Sequence, residues 1–489
     1  MTEEGCPVVD RLADPESLLG MLQRGRGKGY LLALEKPPEE VWPLLLKCVT
    51  NDPRMDIDVE SREDYYAPLM LATGMDLEPL RSHLKQCDSL GQRSFLHPWL
   101  PLAVLAYLAN DSHQALQILR DYLSYGKDWP WVIEVLHRMD SPHALEGVAE
   151  LLEGRITRDR GFCEQFGAKV AEDWRWYCDR EEEGWAMCRP VLPIREPWKT
   201  LRAKSPPLAN LFAELEIPYD QPPPPPQKMT EAEIRTLSLH EMFASVDESN
   251  RVRFWRFLPE KVSGDDEDFL VHQVSSQDWF RRMLAFRGLG QLGTPRAFEA
   301  VKSYIEVTTD RDRGARRYAY LAFDAMPPEL TLETARTWFR SGQHHLHIAA
   351  GGVLEQHATL DDVPILIEAL RTPETLRCED FRLSSALEAL ALFDGIGPIP
   401  ELETVFCEVA HCRQRHRAAV AMEITAPLHF QHHYAFECLW DCHDDTRELG
   451  CDTVSLTVPG ALERLRELAE DDDEYDNVRE AAQRRLDGF

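Results

Sequence analysis

A short segment recurs along this chain, and its recurrence limits the possible folds more than any other feature. Ser112, Ala115, Leu116, Ile118, Leu119, Tyr122 and Leu123 share their offsets with Ser141, Ala144, Leu145, Gly147, Val148, Leu151 and Leu152. The same offsets return at Thr294, Ala297, Phe298, Ala300, Val301, Tyr304 and Ile305, with a looser copy at Thr359, Val363, Ile365, Leu366, Ala369 and Leu370. A Ser or Thr hydroxyl at the head of each copy can accept from the free N–H groups of a helix start. Pro142 and Pro295 come next, at the first helical position, where no N–H is needed. Ala three residues past the cap lets a neighbouring helix come close, and the apolar positions beyond it form one stripe at helical spacing.

A second apolar helix is predicted before each of the three clear copies, over 98–109, 131–139 and 280–292, joined to it by Asn110-Asp111, Asp140 and Gly293. Each unit is thus a helix, a tight turn and a helix. Caps at Ser112 and Ser141 lie 29 residues apart, and caps at Thr331 and Thr359 lie 28 apart. One such hairpin cannot bury its own apolar face, whereas a stack of them can. The expected core on the inter-repeat faces is Ala115, Leu119, Ala144, Val148, Ala297, Val301 and Leu366.

This pattern resembles HEAT and HEAT-like repeats, including the short repeats of phycobilin-lyase-type proteins. The resemblance covers about 98–153 and 278 to the C-terminus, with a weaker unit at 65–85. It implies an all-α protein, an α-solenoid of stacked helical hairpins. It does not fix an activity, because the motif consists mostly of packing positions. Between the arrays the repeat breaks: 154–204 is rich in tryptophan and charge, and 205–228 is proline-rich, with five consecutive prolines at Pro222–Pro226. Proline there disfavours helix and favours an extended spacer. The expected organisation is an N-terminal helical array at 1–154, an irregular segment and linker at 155–230, and a C-terminal array at 231–489. A long loop crossing one continuous solenoid is the alternative. Gly264–Asp268 is expected as an acidic loop, and 471–474 as a turn before a last helix at 477–486.

Acidic residues number 84 against 54 Lys and Arg, a net charge of −30. Such a polyanion is repelled by phosphate backbones and by anionic membranes, so neither nucleic acid nor membrane is an expected partner. The best basic patch, Arg311, Arg313, Arg316 and Arg317, is interrupted by Asp310 and Asp312. The charge suits a basic protein partner, or simply solubility. The first ten residues do not read as a signal peptide. The longest apolar run, near 100–109, is far short of the roughly 20 residues of a membrane span. The twelve cysteines form no CxxC pair and read as reduced thiols of a cytoplasmic protein.

Three constellations are candidates for function. Trp174, Trp176, Tyr177, Trp185 and Trp198 sit among Glu181, Glu182 and Glu183. They can form the centre of a binding interface or fill an irregular gap between repeats. Arg316 and Arg317, with His345, mark the face of the C-terminal array as a second binding surface. A Cys/His-rich tract runs from Cys407 to Cys451. Within it Cys407/His411, Cys412/His416 and Cys438/Cys442 are each four apart, sharing a helix face that could chelate a metal. The spacing is not that of a zinc module, and buried cysteine is common on packed helices. These residues are therefore expected to be structural, with no cofactor.

Enzymatic readings find little support. HEAT-like deoxyhypusine hydroxylases hold iron with repeated His-Glu dipeptides, and this chain has one, His240-Glu241. HEAT-like DNA glycosylases use a basic concave face. No bilin-site motif is present. Gly25-Arg26-Gly27-Lys28-Gly29 has Gly29 where a phosphate loop needs Ser or Thr, and reads as a flexible turn. GxSxG and HExxH are absent. The chain therefore reads as a non-catalytic protein-binding scaffold or adaptor. The alternatives are an immunity or inhibitor protein masking a basic toxin or nuclease, and a metal- or bilin-dependent HEAT-like enzyme.

Overall fold

The computed structural model describes residues 12–51, 60–90, 99–139, 144–148, 150–151, 203, 229–247, 250–307, 313–371 and 381–488. Those residues form 26 α-helices, a few 3₁₀ turns and no strand. Helix alone covers more than half of the chain. None of these helices is long and apolar enough to cross a membrane. Packing divides the chain within its proline run, into Ser17–Pro225 and Pro226–Phe489 with Met1–Glu16.

The N-terminal unit contains α1 (Leu18–Arg24), α2 (Gly27–Leu34), α3 (Pro38–Thr50), α4 (Glu63–Thr73), α5 (Glu78–Leu90), α6 (Trp99–Leu108), α7 (His113–Tyr122) and α8 (Trp129–Arg138). Helix α4 packs on α2, α3 and α6, and α6 packs on α7 and α8. The Ser112 hydroxyl accepts from the Ala115 N–H at 3.3 Å, and Ala115, Leu119, Ala144 and Val148 are buried. The glycine-rich segment at 25–29 is a fixed joint, not a flexible turn. Gly25 ends α1 at φ 68°, Gly27 already begins α2, and a Cβ on Gly29 would lie 2.8 Å from that of Met21. Tyr65 and Tyr66 lock this joint by donating to the carbonyls of Arg26 and Leu22, each at 2.8 Å.

In the C-terminal unit, α9 (Glu231–Thr236), α10 (Leu239–Ser245), α11 (Arg251–Phe257) and α12 (Glu267–Gln273) lead into a longer series. It comprises α13 (Trp279–Leu292), α14 (Pro295–Val307), α15 (Arg313–Asp324), α16 (Pro328–Phe339), α17 (His344–His357), α18 (Val363–Leu370), α19 (Phe381–Leu390), α20 (Pro400–Glu408) and α21 (Cys412–Thr425). It ends with α22 (Pro427–His433), α23 (Ala435–Cys438), α24 (Asp444–Thr453), α25 (Ala461–Glu470) and α26 (Asp476–Asp487). Helices α13, α15, α17, α19, α21, α24 and α26 pack one on the next and make a main row. Helices α12, α14 and α16 pack in sequence beside it, as do α18 and α20. Main-row contacts join start to start and end to end: His344 meets Phe381, and Gly290 meets Ala322. Neighbouring helices of the row therefore run in the same direction.

The third repeat copy has the local structure its residues dictate. The Thr294 hydroxyl caps α14 by accepting from Ala297 N at 3.1 Å, and Gly293 ends α13 at φ 56°. Ala297, Val301 and Leu366 are buried. Thr359 and Asp362 form a reciprocal cap before α18. Thr331 is not a cap: it lies inside α16, fully buried, because Pro327 and Pro328 start that helix earlier. The acidic segment at 264–268 is no loop either. Ser263 caps a 3₁₀ turn that runs straight into α12, with its acids at the helix start, where they complement the dipole.

Close approach within the row has a single-residue test. A Cβ on Gly290 would lie 2.9 Å from Ala322 Cα and 3.1 Å from its carbonyl oxygen, so backbone has to move. Gly290→Ala should destabilise the protein by about 1–3 kcal/mol through overpacking, despite alanine's better helix propensity. A melting temperature equal to or above that of the parent would refute this packing.

Candidate binding surface on the main row of helices

A helix has a partial positive charge at its N-terminus and a negative one at its C-terminus, so acids are favoured at its start and bases at its end. Three flanking helices follow this rule: α12 opens with Glu267 and Asp268, α16 with Glu329, and α20 with Glu401 and Glu403, whereas the first turns of α14 and α18 contain no acid. In the main row α24 and α26 follow it too, with Asp444, Asp445 and Asp476, and Asp278 caps α13, but the helical first turns from α13 to α21 differ. The first turns of α13, α15, α17, α19 and α21 contain no acid. Near those starts lie Arg281 and Arg282, Arg316 and Arg317, His344 and His345, Arg382, and Arg413 and Arg415. Towards the opposite ends lie Asp324, Glu355, Glu388 and Glu423. Each reversal costs a few tenths of a kcal/mol. Because the helices are side by side and point the same way, the row has its basic groups along one edge and its carboxyl groups along the other.

On the cationic edge Arg317, His344 and Arg413 are exposed, whereas Arg316 is buried. Arg317 is thus accessible from solvent, and Arg316 belongs to the packing. An aromatic cluster closes one end of this edge. Trp255 and Tyr318 have ring centroids 4.9 Å apart, and Trp279 lies 6.3 Å from Tyr318 and 4.1 Å from Phe280. Arg287 sits over Trp255 at 5.2 Å and Arg251 over Trp279 at 5.7 Å. All these rings are half-buried, so each keeps an accessible edge or face. Helices α11, α13 and α15 each contribute to the cluster, which is why no run of sequence displays it.

On the opposite edge burial raises the pKa of three carboxyl groups. Asp324 lies against the backbone of Gly352, where an added Cβ would overlap its carboxylate, and Asp324 Oδ1 is buried with no hydrogen-bond partner. Burial, reinforced by the charge of Glu355, pushes its pKa from 3.8 up to about 8. Glu355 is also raised, by burial and by Glu388, although a hydrogen bond with Ser385 and the Arg417 charge oppose this. Arg417 pairs with Glu388 at 2.6 Å. Glu423 is raised by burial and by Asp394.

The Cys/His tract serves mainly to hold the last helices together. Cys412, Cys438 and Cys442 are buried thiols, Cys407 is half-buried, and His411 is buried. Arg415, fully buried, donates from Nη2 to both oxygens of Asp441 at 2.9 and 3.0 Å and to Cys442 Sγ at 3.5 Å. Arg447 donates to the Asp441 carbonyl at 2.7 Å and pairs with Glu474 at 2.7 Å. His416 stacks on His443 at 5.3 Å and approaches the Thr446 hydroxyl at 3.4 Å. Burial lowers the pKa of both rings, that of His443 to about 4, with His416 adding to the effect. Among the described residues no disulfide joins two cysteines. Of the lone His-Glu dipeptide, Glu241 completes a cap with Ser238 and His240 stacks on Phe269 at 4.3 Å. Trp174, Trp176, Tyr177, Trp185 and Trp198, and the basic residue Arg311, lie outside the described residues.

No family model and no curated protein matches the chain. Among solved structures, one match is the crystal structure of an engineered protein, 14% identical, covering 97% of this chain and 98% of that one with a TM-score of 0.23. At that score the likeness carries no argument about fold or function.

Proposed function

We propose that this protein is a non-catalytic, HEAT-like α-solenoid scaffold that binds an acidic protein segment along the cationic edge of its main row. The observation carrying this reading is the run of arginines near the starts of α13, α15, α19 and α21, whose first helical turns contain no acid. Positive side chains stand where the helix ends are already positive, which opposes stability and favours an anionic ligand. The half-buried Trp255, Trp279 and Tyr318 add flat apolar area of the kind found at interface hot spots. At contact a ligand responds mainly to the local charge of this edge, because salt screens charges more than about 10 Å away. The net charge of −30 and the exposed Glu388 carboxylate on the far edge disfavour a broad phosphate backbone, so a short peptide suits the face better than a nucleic acid. Partner capture by the Trp-rich segment around Trp174 and Trp185, or of a basic partner by net charge, makes the opposite forecast in the test.

The probe is a fluorescein-labelled copolymer of glutamate and tyrosine, followed by anisotropy at increasing salt. The wild type should bind it and release it as salt rises. The double variant Arg317→Glu/Arg413→Glu, at two exposed positions, should bind at least about tenfold more weakly, or about 1.4 kcal/mol, with unchanged helical circular dichroism. Equal binding by the double variant, or binding of polylysine but not of the copolymer, would remove this assignment.

A further inference from the structure

We propose that His443, Asp444 and Asp445 form a site for a divalent first-row transition-metal ion at the start of α24. His443 Nδ1 lies 4.0 Å from Asp444 Oδ1 and 3.9 Å from Asp445 Oδ2. One ligand atom from each of the three falls within 4.8 Å of the others. The His443 side chain is only 8% exposed, and its Nδ1 is buried without a hydrogen-bond partner. A buried ring nitrogen without a partner is costly, and the two carboxylates it faces are beyond hydrogen-bond reach. A cation held about 2.0–2.2 Å from each donor fills that gap after a small rotation of the exposed Asp445 side chain.

The ring is fixed for the purpose. The His443 backbone N–H donates to Asp441 Oδ1 at 3.0 Å, itself anchored by Arg415, and the ring face stacks on His416. One imidazole with two carboxylates suits zinc, cobalt, manganese or iron(II), whereas magnesium and calcium favour all-oxygen sites. Water would complete the coordination on the open side, at Asp445. Two aspartates at a helix start also complement its dipole. That role would account for both carboxylates, but it leaves the buried nitrogen unexplained.

The test is a titration of the full chain with cobalt(II) chloride, followed by absorption and competed with zinc chloride. One equivalent should bind, with visible bands of nitrogen and oxygen ligation and no near-ultraviolet thiolate-to-cobalt band. Asp444→Asn/Asp445→Asn should weaken binding at least tenfold and leave the circular dichroism unchanged, and His443→Gln should weaken it as well. An absence of binding at millimolar cobalt, a thiolate band, or affinity unchanged in the double asparagine variant would each overturn the proposal. The readout does not involve the peptide probe, so it stands or falls apart from the scaffold reading.

Discussion

Asp441→Ala should lower the stability of the C-terminal unit by about 3–5 kcal/mol, read as a lower urea midpoint of helical circular dichroism. The side chains of Arg415 and Asp441 are 0% and 1% exposed, so removing the carboxylate takes a bidentate counter-charge from a buried guanidinium. The Asp441 carboxylate also accepts the His443 backbone N–H, so one substitution frees two donors. The pair joins α21 to the turn before α24, and Arg447 and Glu474 extend the ties towards α26. Replacing both partners, Arg415→Leu with Asp441→Leu, should cost much less than the single change, because no unpaired charge remains. A single variant as stable as the parent would show that water reaches Arg415.

Asp324→Asn should make the protein more stable at pH 8, by roughly 2–4 kcal/mol, and should flatten the dependence of its stability on pH. The sign follows from the protons bound. Burial raises the Asp324 pKa from 3.8 to about 8, so between those values the folded protein holds a proton that the unfolded chain has released. Stability from this group is complete below pH 4 and is lost as pH rises towards 8. Glu355, also raised, works in the same sense. Asparagine keeps the shape and cannot ionise against the Gly352 backbone. Thermal melts at pH 5 and pH 8 provide the measurement. A variant that loses stability at pH 8 would mean that Asp324 is ionised in the fold and stabilises it as the anion.

Much of the helical architecture is legible in the sequence, because its causes are local. Ser112, Thr294 and Thr359 announce helix starts through one hydroxyl and one N–H a few residues on. Ala115, Leu119, Ala297 and Val301 announce buried stripes through spacing alone. Errors arose where two local signals competed. Thr331 looked like a cap, but the prolines before it start the helix, and Gly25 to Gly29 looked loose, but the room between α1 and α2 demands glycine.

The sequence by itself determined where helices begin, which side of each is apolar, and that one hairpin needs another to cover it. Only the tertiary structure decided which polar residues share a surface. Trp255, Trp279 and Tyr318 come from three helices, and Asp324 meets Gly352 across two. The arginines at the starts of α13, α15, α19 and α21 lie along one edge only because those helices pack in parallel. His443 counted in the sequence as one histidine of a dense tract; stacking on His416 buries it and aims its free nitrogen at Asp444 and Asp445. Capping and amphipathicity act within a few residues of one helix, whereas charge, stacking and ligation act across space. The register that brings those groups together is set by packing of the whole row.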